Sequence, residues 1–267
     1  MRFAGFVFAA VFFVLGAVFV FGQLSPNPPD TLTVGGSTRH VETVNGFQVP
    51  AAAGNVSALV LVDTRITSFW QGYYGNVSGT IVLDDAGNST LFAWELATPS
   101  GEVFAVNTSS VVNWNNVTCV NFTGNASGSA ATGLTPGSSV INLSNLAVQF
   151  NMNRTVSLQN LSPDAVNNTF NTTFSGNFNV GTRTIVAGDN CPQAFTFVND
   201  AYQVGSFRNV LLHDNRSALI FAAFLENNKD GFQTGGQDLS DFQMLVAEDG
   251  TPGKEAASTY YFYVELE

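Results

Sequence analysis

The regular interruption of short apolar runs by turn residues is the feature that most constrains the fold. From residue 58 onward, apolar and β-branched stretches are separated by Gly, Pro, Asn, Asp or Ser roughly every 8–15 residues. Helical periodicity is nearly absent, and residues 165–170 are the one short helix it predicts, with Ser162 as N-cap and Pro163 in the first turn. The chain is therefore predicted to be mostly β, with an Ig-like β-sandwich as the favoured fold.

The same pattern places the individual strands. They are predicted at residues 58–62, 66–74, 80–83, 91–96, 102–106, 117–122, 140–150, 194–198, 210–212, 218–225, 241–246 and 260–266. The turn residues 98–101, Thr-Pro-Ser-Gly, predict a hairpin that pairs 91–96 with 102–106.

The N-terminus indicates export. Residues 3–22 form an uncharged apolar run, which would span about 30 Å as a helix preceding the sandwich. Three interpretations stay open: a long signal peptide cut before Gln23, a retained membrane anchor or filament-core helix, and a prepilin signal cut after Gly5. Arg2 on the short side predicts that the rest of the chain crosses the membrane.

The chain downstream divides into a linker and an ectodomain. Residues 23–54 are Pro-rich and form either a linker or an exchanged segment, in which residues 31–34 alternate like a short strand. Residues 55–267 form the predicted β-sandwich ectodomain, with a sugar-rich part at 55–188 and an acidic part at 189–267. The acidic part carries twelve acids and four bases.

Glycosylation sequons occur where charges are missing. Only 11% of residues are charged, the net charge is -11, and no basic patch exists for nucleic acid. Nine of 13 Asn-x-Ser/Thr sequons lie between residues 103 and 188, where only three charges occur. Abundant Asn, Ser and Thr would supply several sequons by chance, but this placement favours N-glycans as the solubilising groups. The sequon asparagines are Asn55, Asn76, Asn88, Asn107, Asn116, Asn121, Asn125, Asn142, Asn153, Asn160, Asn167, Asn171 and Asn215.

Two cysteines predict one bridge. Cys119 and Cys191 are the only cysteines, and in an exported protein such a pair indicates a disulfide, with two buried free thiols as the alternative. All three Trp residues precede Cys119, so the Cys–Trp–Cys order of a true immunoglobulin domain is absent.

The sequence offers no catalytic motif, and no catalytic residue is assigned. It contains no Gly-x-Ser-x-Gly, His-Glu-x-x-His or Walker A pattern. His213 beside Asp214 is interpreted as a surface histidine at a strand end. Asp230, Asp238 and Asp241 in a Gly-rich loop are weak candidates for Ca²⁺, and the alternative is a solvated hairpin loop. No other cofactor is expected.

An aromatic cluster is the remaining candidate site. Phe69, Trp70, Tyr73 and Tyr74 lie within one predicted strand and could stack sugars on one of its faces. The alternative is that these rings belong to the core.

Three stretches carry a resemblance to a known group. They are residues 66–75 (ITSFWQGYYG), residues 189–192 (DNCP), and residues 241–250 (DFQMLVAEDG) followed by 259–266 (TYYFYVEL). They resemble a group of exported, N-glycosylated archaeal cell-surface and filament-type proteins. The resemblance implies an extracellular location and a single mostly-β module, and it implies no catalytic residue.

The sequence favours two function classes over a third, a secreted hydrolase. The first is a glycosylated subunit of an archaeal filament, pilus or surface layer, which self-associates through its N-terminal segment. The second is an anchored or secreted adhesin that binds glycans with the aromatic cluster near Trp70. Residues 3–22 would contact a membrane if they are retained.

Overall fold

The structure is a computed structural model. It describes residues 25–36, 69–123, 140–142, 163–196, 207–216, 218–231, 239–248 and 258–267, and the single residues 53, 58, 67, 150 and 152.

Short strands are the main regular structure of the described chain. They are β1 Trp70–Gly75, β2 Thr80–Asp84, β3 Thr90–Glu95, β4 Gly101–Val106, β5 Thr118–Cys119, β6 Asn121–Thr123, β7 Val140–Asn142, β8 Thr172–Thr173, β9 Phe178–Val180, β10 Arg183–Ile185, β11 Pro192–Phe195, β12 Arg208–His213, β13 Leu219–Phe224, β14 Lys229–Asp230, β15 Leu239–Ser240, β16 Phe242–Ala247 and β17 Tyr261–Leu266. One α-helix, α1 Val166–Thr169, and two 3-10 turns, Trp114–Asn116 and Ala187–Asp189, complete them.

A seven-stranded antiparallel sheet forms the centre. Its order is β17-β4-β13-β12-β11-β8, and β5 pairs with β12 beyond the end of β11. Strand β13 is buried along its whole length, because its sequence Leu-Ile-Phe-Ala-Ala-Phe is apolar on both faces. The sheet is therefore covered on both sides.

One face packs against the β1–β16 ribbon and α1. Side chains at alternate positions of the central strands form this cluster: Val103, Ala105, Leu211, Leu219, Phe221 and Ala223. Met244 and Val246 of β16 and Phe170 after α1 cover them. The Leu245 N–H also donates to the Asn209 side-chain oxygen (3.2 Å), which fixes the ribbon to the sheet.

The other face packs against the β9–β10 hairpin and the Trp114–Asn116 turn. The intervening positions of the same strands form this second cluster: Phe104, Val106, Val210, Leu212, Ile220 and Ala222. Val180 and Ile185 come from the β9–β10 hairpin, and Trp114 packs on Phe104 with ring centroids 5.4 Å apart.

The prediction of a mostly β protein with several sheets is confirmed. The sandwich stays a prediction. The predicted hairpin across 98–101 is wrong, because β3 pairs with β2, and β4 pairs with β13 and β17. Gly101 has a φ of +119°, and a Cβ there would collide with the Glu265 carbonyl oxygen. This glycine therefore permits the close approach of β17 rather than a hairpin turn.

The predicted short helix is present, but its start is wrong. Ala165 is the N-cap of α1 and makes no side-chain capping bond, and Pro163 lies in the preceding turn. The expected cap, Ser162, lies outside the described residues, three positions from the observed one.

Residues 1–24 lie outside the described residues, so the N-terminal apolar helix remains a prediction. Among the residues that the structure describes, no helix has the length and apolar character needed to span a bilayer.

Candidate functional site

The two cysteines form a disulfide. Cys119 in β5 bonds to Cys191 immediately before β11, across a sequence separation of 72 residues. Both are buried in the cluster that also contains Phe174 and Leu212. The predicted bridge is confirmed, and it joins the sequon-rich residues 55–188 to the acidic residues 189–267 within one core.

Residues 25–36 form an arm that precedes the module and touches it through one isolated β-bridge. Asn27 exchanges two backbone hydrogen bonds with Val264 on the outer edge of β17, at 3.1 and 2.8 Å. Pro26 beside it is buried, so this part of the arm is anchored. Further along, Leu32 and Val34 are 62% and 79% exposed. The arm therefore presents two alternating apolar side chains that no described residue covers.

The β2–β3 hairpin is a second uncovered apolar element. Its register pairs Ile81 with Trp94 and Leu83 with Phe92, so these four side chains share one face, which we call the apolar face. All four are 40–58% exposed, and the Phe92 and Trp94 rings lie 5.2 Å apart. Within the described residues, each of these two strands pairs only with the other. An isolated two-stranded hairpin is marginally stable in water, and no described strand pairs with or covers this one.

The hairpin's base and the arm's anchor lie at the same end of β17. The Leu96 N–H donates to the Gly79 carbonyl (2.9 Å), and a Cβ at Gly79 would meet the Leu266 side chain. Asn27 bridges two residues away from Leu266, at Val264. Both elements thus join the module beside the C-terminal end of β17.

Buried carboxylates cluster at this end of the sheet. Glu102 and Glu265 are directly opposite on β4 and β17, and they are 3% and 8% exposed. Burial, reinforced by Glu267 and Glu265, raises the pKa of Glu102 to about 9. Burial also raises the pKa of Glu265, although the Gly181 N–H, which donates to both its oxygens, opposes the rise. Glu102 is therefore protonated at neutral pH.

Three sequons lie at the opposite end. Asn107 follows β4, and Asn215 lies in the turn after β12. Asn116 is the last residue of the 3-10 turn Trp114–Asn116. Just before that turn, the Asn113 N–H donates to the Asp214 carboxylate (3.4 Å). Glycans there would surround the end of the sheet remote from Glu102 and Glu265.

The other sequon asparagines vary in what the structure describes. Asn76, Asn88, Asn116 and Asn171 are exposed, and Asn107 and Asn215 are half-buried. Asn88 has a φ of 60° in the β2–β3 turn, a conformation that Asn tolerates well. For Asn121, Asn142 and Asn167 only the backbone is described, and Asn55, Asn125, Asn153 and Asn160 lie outside the described residues. Every described sequon residue is thus at least partly exposed, although the Oδ1 atom of Asn215 is buried.

The aromatic cluster divides between core and surface. Trp70 packs on Phe170 at 5.7 Å and on Phe221 at 6.4 Å, and its Nε1–H donates to the Asp164 carbonyl (2.7 Å). Tyr73 meets Phe262 edge to face at 5.2 Å.

Phe69 also packs against the core, whereas Tyr74 is 43% exposed. The four rings therefore do not form one exposed platform, and Tyr74 is the member of the set that faces solvent.

Asp241 is a structural carboxylate. It is 4% exposed, and its two oxygens accept the N–H groups of Val77 and Asn228, both at 2.8 Å. The side chains of Asp230 and Asp238 are not among those described. Within the described part of the chain, no group of three His, Cys, Asp or Glu side chains could hold a metal ion. The calcium site stays a prediction, while Asp241 holds two backbone segments together.

His213 is buried rather than exposed, so its interpretation as a surface residue is wrong. It lies at the end of β12 and is 3% exposed. Its Nδ1 accepts the Asn215 N–H (3.0 Å), and its Nε2 lies 3.0 Å from Thr118 Oγ1. These contacts give it a structural role in the β12–β13 turn.

The chain was compared with protein families, curated proteins and solved structures. No protein-family model, no curated protein and no solved structure matches it.

Proposed function

We propose that the protein is a glycosylated structural subunit of an extracellular filament, pilus or surface layer, which assembles through its N-terminal segment. The observation that carries this proposal is the arm, anchored at Asn27 yet exposing Leu32 and Val34. Apolar segments with alternating side chains can associate with other proteins by becoming extended and adding as a strand to an exposed sheet edge. The sequence resemblance to archaeal cell-surface proteins supports the same role.

Compartment and glycosylation are consistent with such a subunit. The Cys119–Cys191 disulfide fits an oxidising, extracytoplasmic location. The exposed sequon asparagines, such as Asn76 and Asn171, fit a surface on which glycans replace charges. The low charge of the chain then reflects its coat of sugars.

We also infer that the central sheet and the β1–β16 ribbon are the two layers of a β-sandwich. Their facing side chains, including Phe221 and Met244, share one cluster, as the inner faces of a sandwich do.

Electron microscopy of the native surface fraction, with mass spectrometry to identify the chain, tests the assembly. Regular filaments or lattices containing the chain are expected, and a chain found only as monomer would contradict the proposal. N-terminal sequencing of those assemblies shows whether residues 3–22 are retained. A first residue of Gln23 would exclude a filament core made by residues 3–22 and leave the arm as the assembling segment.

A matched pair of arm variants tests the arm itself. Leu32→Glu with Val34→Glu places charges on the apolar side of the arm and should abolish assembly while the module stays folded. Thr31→Glu with Thr33→Glu adds the same charge on the alternate side of the arm. This variant should assemble more readily than the Leu32→Glu, Val34→Glu variant. Equal assembly by both pairs would contradict the role of the arm.

The alternative is a glycan-binding adhesin, which the exposure of Tyr74 favours. A glycan array on the wild type and on Tyr74→Ala distinguishes the two. Binding that Tyr74→Ala removes would support the adhesin, and a blank array would remove it.

A further inference from the structure

We propose that the apolar face of the β2–β3 hairpin, formed by Ile81, Leu83, Phe92 and Trp94, is the docking surface for the arm of a second copy of this chain. Residues 31–34 of that copy would add as a third strand at a free edge of the hairpin. This inference rests on the proposed function, because it names the acceptor of the assembling segment.

The apolar face needs a partner of protein dimensions. Taking roughly 150–250 Å² for each large side chain when fully exposed, its four half-exposed side chains leave on the order of 400 Å² of apolar surface uncovered. A stable interface buries about 800 Å² on each partner, so the apolar face supplies about half of one partner's share. An added strand would supply further area through its backbone and through the hairpin's edge.

The hairpin is built to accept a strand. One face carries the four apolar side chains, two of them aromatic, whereas the other face combines the polar pair Thr80 and Glu95 with Val82 and Ala93. A sheet is normally packed on its more apolar face. The outer edges of β2 and β3 carry no partner among the described strands, so their backbone groups are available for a new ladder.

The arm matches this acceptor. Leu32 and Val34 are two residues apart, so in a strand they point to the same side. As a third strand, they would continue the row of apolar side chains that Ile81, Leu83, Phe92 and Trp94 form on one face of the hairpin. Arm and hairpin are thus two uncovered, mutually fitting apolar elements of one chain.

The arm does not fill this role within its own copy. Asn27 holds it to the outer edge of β17, and Leu32 and Val34 are largely exposed there. Because both elements stay uncovered in the described part of the single chain, a second copy is the occupant that satisfies both at once.

A lipid surface fits the hairpin less well. The tip of the hairpin carries Asp84 at the end of β2, Asp85 in the turn and the sequon asparagine Asn88, and all three are exposed. Charged groups and a glycan at the tip would resist entry into the apolar part of a bilayer.

Crosslinking of the full chain with its disulfide intact tests the proposal. In the double variant Val34→Cys with Leu83→Cys, the two introduced thiols are the free ones, and a short bis-maleimide joins those that lie close together. A ladder of covalent multimers is expected if copies dock head to tail. The matched control is Val34→Cys with Val111→Cys, because Val111 is 89% exposed outside the hairpin, and it should give no ladder.

The outcomes separate this inference from the proposed function. A closed covalent dimer without higher multimers would support the docking of a second copy but overturn an open filament. Filaments that form without any Val34–Leu83 crosslink would keep the proposed function and overturn this inference. An internally crosslinked monomer would assign the hairpin to the arm of the same copy and overturn it as well.

A second measurement does not depend on crosslinking. Leu83→Glu should weaken self-association at least tenfold in sedimentation, with an unchanged near-UV circular dichroism spectrum showing that the core is intact. Val82→Glu, whose side chain is 49% exposed on the other face of β2, should change it much less. Equal weakening by both variants would overturn the assignment. It would also be overturned if the Val34–Leu83 crosslink never formed and the protein instead floated with phosphatidylcholine vesicles in a way that Leu83→Glu abolished.

Discussion

Glu102 and Glu265 lie directly opposite each other on β4 and β17, and both are buried among the strands of the central sheet. A buried carboxyl facing a second one retains its proton, because ionisation of both would place two charges in a poorly hydrated site. One oxygen of Glu102, Oε2, is buried without a hydrogen-bond partner. The pair therefore makes the stability of the sheet sensitive to pH.

Glu102→Gln should remove a large part of that pH dependence. The folded-state pKa of about 9 lies above the ordinary value of 4.5, so the wild type's stability contribution is complete below pH 4.5 and is lost as pH rises through 9. Glutamine has the shape of the protonated acid and no charge to lose. At pH 9 the variant should be more stable than the wild type by roughly 2 kcal/mol or more, since one pKa unit corresponds to about 1.4 kcal/mol.

Urea unfolding at pH 5, 7 and 9 checks this expectation. Glu95→Gln is the control, because Glu95 is exposed and is not among the charges that raise the pKa of Glu102. A Glu102→Gln variant that keeps the wild-type slope of stability against pH would show that Glu102 is not the titrating group.

Local pattern predicted where strands lie but not which strands pair. Residues 80–83 and 218–225 were recognisable because alternation and turn residues are local properties. The partner of β4 is β17, about 160 residues away, and no local signal connects them. Thr-Pro-Ser-Gly at 98–101 predicted a turn between neighbours, whereas Gly101 serves the approach of β17.

The candidate sites follow the same division. The Cys119–Cys191 bridge was predictable because a chain with two cysteines allows one internal pairing. The Glu102–Glu265 pair was missed because a glutamate next to a strand's start usually faces solvent. The alternation of Ile81 and Leu83 was visible, but only the structure shows that their face is uncovered.

Loss of the disulfide should destabilise the module strongly. Cys119→Ala with Cys191→Ala frees a loop of 72 residues in the unfolded chain, and the chain-entropy model gives a loss of about 4 kcal/mol for a loop of that size. Denaturant titration measures the change. The reduced wild type should lose a similar amount, and a loss confined to the alanine variant would assign the effect to lost packing instead.

Asp241→Ala should destabilise the module by about 2–4 kcal/mol. The substitution leaves the Val77 and Asn228 N–H groups without the carboxylate that accepts both. Each unsatisfied buried donor costs about 1–3 kcal/mol. Thermal unfolding measures the effect, with the exposed Asp30→Ala as control. The loss should be the same with EDTA and with calcium, and a calcium-dependent loss would instead support a metal role for Asp241.

Glycopeptide mass spectrometry of the native protein should find sugars on Asn76, Asn88, Asn116 and Asn171. These asparagines are exposed, so their side-chain nitrogens are accessible to modification. Enzymatic or genetic removal of the glycans should reduce solubility, because few charges remain on that part of the surface. Unmodified asparagines at all four positions would contradict the interpretation of the sequons.

Trp70→Ala should act on stability rather than on ligand binding. Trp70 packs against Phe170 and Phe221 and donates a hydrogen bond to Asp164, so its removal leaves a cavity beside the central sheet. Truncation of a buried Trp costs about 3–5 kcal/mol, and this half-buried one should cost about 2–3 kcal/mol in denaturant unfolding.

Tyr74→Ala is the matched aromatic control for this substitution. The Tyr74 side chain lies on the same strand and is 43% exposed, so its truncation should cost less than about 1 kcal/mol. Because the two variants remove aromatic rings from one strand, a difference between them isolates the packing of Trp70 in the core. Equal losses would contradict that packing role, and a Trp70→Ala protein of wild-type stability that no longer bound glycans would return Trp70 to the binding surface.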